Sequence, residues 1–169
     1  MSTGPSIALS GAPGTGKTSI AEAAKSDGWA ITTVQSLAEE HNLLGPIDSE
    51  EGAREIDIHA LSSALGSIEG PLIIDGHLSH LLNVDAIAIL RCEPSVLQDR
   101  LDQRSYPKWK VESNIEWELI GGTWAEIEIE NVAEFDSTTN NTDDLWNKIR
   151  EWINSGHPRL EPFVDWMND

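Results

Sequence analysis

The octapeptide Gly11-Ala12-Pro13-Gly14-Thr15-Gly16-Lys17-Thr18 constrains this chain more than any other stretch. It fits the pattern G-x-x-x-x-G-K-[ST] without substitution. Upstream, residues 6–10 are a short, mainly apolar run of the kind that forms a buried parallel strand. Downstream, residues 19–25 carry helix formers with a helical apolar stripe. Glycines at these spacings let the backbone turn its N–H groups inward onto phosphate oxygens, and the following helix points its positive dipole end at the same anion. By the same logic Lys17 reaches the terminal phosphates and Thr18 offers a hydroxyl to Mg²⁺.

The chain has 169 residues, which suits one domain with a substantial core. No run approaches the ~20 apolar residues of a membrane span, and the N-terminus lacks a basic segment leading into an apolar one. Cys92, the single cysteine, has no internal partner and reads as a small hydrophobe in a strand. These features predict a soluble cytoplasmic protein with no membrane role. The charge is unusual: 29 acidic against 11 basic residues, a formal net charge of -18. Such a surface repels nucleic acid, so sequence-specific nucleic-acid binding is not expected. Three explanations stand: a saline cytoplasm, a basic protein partner, or a solvated acidic face on an ordinary enzyme.

Further along, residues 29–34 read as a second strand and 36–42 as a short helix with Ser36 as cap and Glu39 in the capping-box position. Gly45-Pro46 ends it. Residues 46–54 read as an acidic surface loop, 56–58 as an edge strand and 60–65 as helical. Residues 72–75 are an apolar run closed by Asp75, the position from which an acidic side chain faces the Mg²⁺ shell of a phosphate-binding site. His77 has two readings: it positions a water or nucleophile near the metal, or it is a loop histidine bonded to a carbonyl. His80 reads as structural. Residues 85–92 are another buried strand, and Pro94 opens a helix through Leu101.

That helix leads into a segment, 100–110, holding four of the eleven basic residues: Arg100, Arg104, Lys108 and Lys110. Arginines closing over a transferring phosphoryl group would stabilise its charge; the alternative is a cationic turn paired with carboxylates. Trp109 leaves base stacking open. Residues 111–129 are helical with an interruption at Gly121-Gly122, as one kinked helix or two. Residues 131–136 are a last strand, and from Thr142 the stripe Leu145, Trp146, Ile149 and Ile153 marks a final helix. Residues 157–169 form a tail. Strands alternating with helices give the expected class: α/β, a three-layer parallel sheet.

The combination Gly11 to Ser19, Ile74-Asp75-Gly76-His77, Leu90-Arg91-Cys92-Glu93, Arg100 through Tyr106 and Glu112 to Glu116 resembles the sixth-isoenzyme type of adenylate kinase. That family is also known as a nuclear ATPase and ribosome-assembly factor, with archaeal members. The resemblance covers most of residues 6–155; the acidity, the tryptophan content and the tail depart from it. It implies a P-loop NTPase fold of the nucleoside monophosphate kinase type. It implies that Gly14, Thr15, Gly16, Lys17, Thr18 and Ser19 bind ATP, with Thr18 and Asp75 at Mg²⁺ and His77 functional. Residues 35–58 would be the monophosphate-binding region and 103–113 the lid, with Arg104 on the phosphates. Asn140 and Asn141 stand where family members often carry a lysine near the adenine.

The expected chemistry is transfer of the ATP γ-phosphoryl to AMP, with ATP hydrolysis as a side or main activity. Lys17 and Arg104 would stabilise the moving group, Asp75 and Thr18 would hold the metal, and His77 would orient the acceptor or water. The resemblance also implies ribosomal protein uS11 and the small ribosomal subunit as partners. The rival readings are an ATP-switched assembly factor that releases such a protein, and a kinase for another small acceptor.

Overall fold

A computed structural model describes residues 3–47, 54–139 and 141–168. Five strands form a parallel sheet: β1 (Ser6–Ser10), β2 (Ile31–Thr33), β5 (Leu72–Asp75), β6 (Ala86–Arg91) and β7 (Val132–Asp136), in the order β2-β5-β1-β6-β7. β1 is central and pairs with β5 and β6 on its two sides, with Leu9 opposite Asp75 and opposite Ala88. The C-terminal end of β1, which feeds the phosphate loop, therefore lies beside the end of β5 that carries Asp75. Crevices at this end of an open parallel sheet are where such folds bind ligands.

Side-chain alternation along the strands builds two cores. Ile7 and Leu9 face α1 (Lys17–Ser26) and α7 (Thr142–Asn154), where Ile20, Ala24, Trp146, Ile149 and Trp152 cover them. Ala8, Ile74, Ile87 and Ile89 face the other way, toward Val34 and Ala38 of α2 (Val34–Glu40) and Leu61 of α3 (Ile58–Leu65). Both faces are covered, so the strands read as near-continuous apolar runs, and the expected three-layer α/β arrangement results. Each fully buried Ile or Leu contributes about 1.5–3 kcal/mol.

Three local expectations are corrected. The second strand stops at Thr33, whose extended backbone and side-chain hydroxyl cap α2 by accepting from the Ser36 N–H at 3.0 Å. The cap is therefore Thr33 rather than Ser36, and the helix starts two residues early. Gly45 and Pro46 do not break the chain; they lie within β3 (Leu44–Ile47), which pairs antiparallel with β4 (Arg54–Ile56) and shifts register between Leu44 and Ile47, where Pro46 has no N–H to give. The acidic loop expected at 46–54 thus has strands at both ends, and its residues 48–53 lie outside those described. Asp57 and Ile58 are not edge strand: the Asp57 carboxylate accepts from the Ala60 N–H at 3.0 Å and starts α3.

After α4 (Pro94–Asp102), the helical region is two helices, α5 (Lys108–Leu119) and α6 (Gly122–Ala125), separated at Gly121, which has φ 66°. The tail runs back across the sheet. Leu160 N–H donates to the Val132 carbonyl at 3.0 Å, and the Trp152 indole N–H donates to the Pro158 carbonyl at 2.7 Å. Its further anchor is a buried ionic cluster. Arg91 at the end of β6 pairs with Glu118 on α5 and Glu134 on β7, each at 2.8 Å. Both carboxylates also accept from the tail: Glu134 from the Phe163 and Val164 N–H groups at 2.6 Å, Glu118 from the Trp166 indole at 2.9 Å. One guanidinium cannot balance two buried carboxylates, and these N–H donors supply the remainder.

Candidate active site

The phosphate loop begins where Ser10 leaves the sheet. Gly11 has φ 135°, and a Cβ there would lie 2.5 Å from the Leu90 carbonyl oxygen, so the loop passes β6 only as glycine. Thr15 turns its hydroxyl inward, donating to the Ala12 carbonyl at 2.8 Å, and contributes structure rather than a free side chain. Gly16 sits at φ 102° as the N-cap of α1, and no side chain caps that helix end. The N–H groups of Lys17, Thr18 and Ser19 therefore face the loop's interior as an anion site.

Lys17 folds back over the loop, donating to the Gly11 and Ala12 carbonyls at 2.8 and 2.9 Å. Burial lowers its pKa to about 8, against the raising influence of Asp75, while Arg104 lowers it further. Thr18 donates its hydroxyl to Asp75 Oδ2 at 3.3 Å, closing the gap between the loop and β5. Burial raises the Asp75 pKa, and Lys17 and the Thr18 hydrogen bond act the other way. A hydroxyl and a carboxylate at this separation are hard oxygen donors that fit Mg²⁺, which takes one or two protein ligands and completes its shell with water and substrate phosphates. Among the described residues no group of three or more His, Cys, Asp or Glu gathers as a metal cage.

His77 follows at the corner after β5. Its ring is open to the cleft yet crowded by protein, and desolvation, helped by Lys17, His80 and Lys110, pushes its pKa down to about 4. A neutral imidazole accepts or shares a proton rather than adding charge.

Two cavities meet at the loop. One of about 490 Å³ is lined by Gly14, Thr15, Gly16, Ser19, Arg100, Arg104 and Ser137; the other, about 780 Å³, by Lys17, Thr18, Ser19, Gln35, Arg54, His77, Arg104, Tyr106 and Trp109. Gly14, Gly16, Ser19 and Arg104 border both, so Arg104 stands where the two chambers join. Asn141 does not line either chamber. Its side chain caps α7, accepting from the Asp144 N–H at 2.8 Å and donating to the Asp144 carboxylate at 2.9 Å. Asn140 lies outside the described residues. Arg54, on β4, lines the larger chamber while donating to the Gly45 carbonyl at 2.9 Å.

The sequence places Arg100 in the basic segment 100–110 but assigns only Arg104 to the phosphates. The Arg100 guanidinium donates to the Gly14 carbonyl at 3.2 Å and to the Ser137 carbonyl at 2.9 Å, tying the phosphate loop to the end of β7.

The sequence profile of the family described as "AAA domain" matches residues 7–121. A protein of Archaeoglobus fulgidus named "Putative adenylate kinase" is 36% identical, covering 96% of this chain and 92% of its own. One of Pyrococcus abyssi with the same name is also 36% identical, with 95% and 90% covered. In three dimensions the chain is similar to a shikimate kinase from Acinetobacter baumannii, with TM-score 0.62 and 17% identity over 91% of this chain and 95% of the other. It is also similar to a gluconokinase from Sinorhizobium meliloti, with TM-score 0.55 and 16% identity over 93% and 98%. At those identities the two structures speak for the fold alone. The phosphate loop, the Asp75 corner and the archaeal relatives together place the chain: it belongs to the AAA domain family, alongside the archaeal proteins named "Putative adenylate kinase", as a P-loop enzyme of the nucleoside monophosphate kinase type.

Proposed function

We propose that the chain catalyses Mg²⁺-dependent transfer of the γ-phosphoryl group of ATP to AMP, with ATP hydrolysis as a side activity. The observation that carries this reading is the convergence of Lys17, the Thr18–Asp75 pair at 3.3 Å, His77 and Arg104 on one cleft with a chamber on each side of Arg104. ATP would lie along the smaller chamber with its phosphates on the N–H groups after Gly16. AMP would enter the larger one, between Gln35 and Arg54 on one side and Tyr106 and Trp109 on the other. The names of the archaeal relatives support this choice of acceptor.

Lys17 would swing from the loop carbonyls to the terminal phosphates, and Arg104 would close on the same charge. Thr18 and Asp75 would hold Mg²⁺, which would supply positive charge against the charge developing on the phosphates. Neutral His77 would orient the acceptor oxygen; the transfer needs no covalent enzyme intermediate.

A second reading has its own support. Among the described residues of the β3–β4 hairpin, Arg54 alone offers a cation to an AMP phosphate, and it is already bonded to Gly45. Weak acceptor binding suits an ATP-switched assembly factor in small-subunit maturation, releasing a basic protein such as ribosomal protein uS11. The net charge of -18 complements such a partner. Product balance separates the two. With Mg-ATP and AMP the kinase forms two ADP for each AMP consumed and little phosphate; phosphate release at an unchanged rate with or without AMP favours the switch.

A further inference from the structure

Ser10, His80 and Glu126 form a chain of hydrogen bonds from the root of the phosphate loop to the protein surface. The His80 ring, buried behind the loop, has Ser10 Oγ 2.7 Å from Nδ1 and Glu126 Oε1 3.0 Å from Nε2. Burial lowers the His80 pKa despite the opposing pull of Glu126, so the ring carries one proton. A carboxylate only accepts, which puts that proton on Nε2 and leaves Nδ1 to accept the Ser10 hydroxyl hydrogen. Both ring nitrogens and the serine hydrogen are then used.

The connections on either side give this chain its meaning. Ser10 is the residue before Gly11, where the loop that holds the donor phosphates begins. His80 ends the corner that starts at Asp75, and that corner is laced to β1 at three further points, one of them the Ser10 hydroxyl, 3.3 Å from the His77 carbonyl oxygen. Gly76 N–H donates to the Leu9 carbonyl at 3.2 Å, and the Ser79 hydroxyl lies 3.1 Å from the Leu9 carbonyl and 2.7 Å from that of Gly76. The Ser10–His80 contact thus adds a side-chain brace to these ties between the donor side of the cleft and its metal and acceptor side, and Glu126, in the segment after α6, fixes the ring from outside.

We propose that His80, oriented by Glu126, is a positioning residue that sets the spacing between the Asp75–His77 corner and the phosphate loop, and with it the rate of phosphoryl transfer. The proposal rests on the phosphoryl-transfer reading above. Among the described residues the hydrogen bonds of the His80 ring run to Ser10 and Glu126 and not to the N–H groups of the anion site, so its loss should change the alignment of reacting groups while leaving ATP binding intact. Misplacing reacting groups by about 1 Å costs on the order of 10²-fold in rate.

The experiment measures kcat and KM for ATP, with and without AMP, in H80F, E126L and E126Q, together with their melting temperatures. H80F and E126L should lower kcat roughly 10- to 100-fold with KM for ATP within about twofold of the wild type. E126Q keeps an oxygen that accepts the Nε2 proton, so its kcat should stay within about twofold. A wild-type kcat in E126L overturns the proposal, as does a parallel loss of kcat and ATP affinity that tracks the melting temperature. Should H80F fail to fold, E126L decides, because the Glu126 side chain is 38% exposed and its removal leaves the core intact. Absence of AMP phosphorylation in the wild type would refute the kinase reading alone; the same kcat comparison then runs on ATP hydrolysis.

Discussion

Lys17 shows how one buried ammonium ties loop geometry to pH. Its folded pKa, lowered from 10.5 to about 8, means that the charge is complete below that pH and lost above it. The free enzyme needs that charge to meet ATP, so kcat/KM for ATP should fall as pH rises through about 8. In the complex the phosphates hold the proton on, and kcat should persist to higher pH. A pH–rate profile with kcat/KM level from 7 to 9.5 would contradict this. For folding the sign is opposite: burial of the charged form costs stability below about pH 8, and because the unfolded chain binds more protons than the folded one between about 8 and 10.5, that penalty is relieved as pH rises across the window. Asp75→Asn keeps the size of the side chain and the contact with Thr18 but weakens the grip on Mg²⁺. Turnover should drop roughly 10²-fold, measured at saturating ATP with Mg²⁺ titrated.

Among the elements, the end of β6 carries the most concentrated electrostatic load. Among the described residues Arg91 is the cation paired with both Glu118 and Glu134, with side-chain exposures of 4%, 4% and 0%. Arg91→Met strands two buried carboxylates and should destabilise the fold by about 3–5 kcal/mol. Glu118→Gln leaves Arg91 paired with Glu134 and should cost clearly less. Urea denaturation of the two variants checks the order, and equal losses would contradict it. Legibility in sequence followed this same division. β1, α1, β5, β6, α4, β7 and α7 carry long apolar periodicities or complete motifs, and they are where the residues put them. The β3–β4 hairpin was hidden because its strands are three and four residues long and contain Gly45-Pro46, a pair that reads locally as a stop. Thr33 lost its cap role to Ser36 in sequence because either hydroxyl fits the pattern; only the backbone direction leaving β2 decides. The site was legible where chemistry is local, as in Gly11 to Thr18 and Asp75. It was not legible at Arg100 or at Ser10, His80 and Glu126, whose partners lie 37 to 86 residues away in sequence.

At the scale of the whole molecule, the excess of 29 acidic over 11 basic residues, a net charge of -18, makes the surface repel itself. Salt shortens the reach of that repulsion to about 3 Å at 1 M, so the melting temperature should rise between low salt and 1 M KCl. An unchanged or falling value would show that the acidic residues are spread too widely to matter. Among the described residues no helix is long and apolar enough to cross a membrane. Arg104 and Lys17 line the larger chamber, and the two chambers joined at Arg104 make a donor-to-acceptor path the central claim. The most direct measurement follows the phosphoryl group itself: incubate the protein with Mg²⁺, AMP and ATP labelled at the γ-phosphorus, and locate the label. Label in the β position of newly formed ADP is the predicted result, and label found only in inorganic phosphate would contradict it.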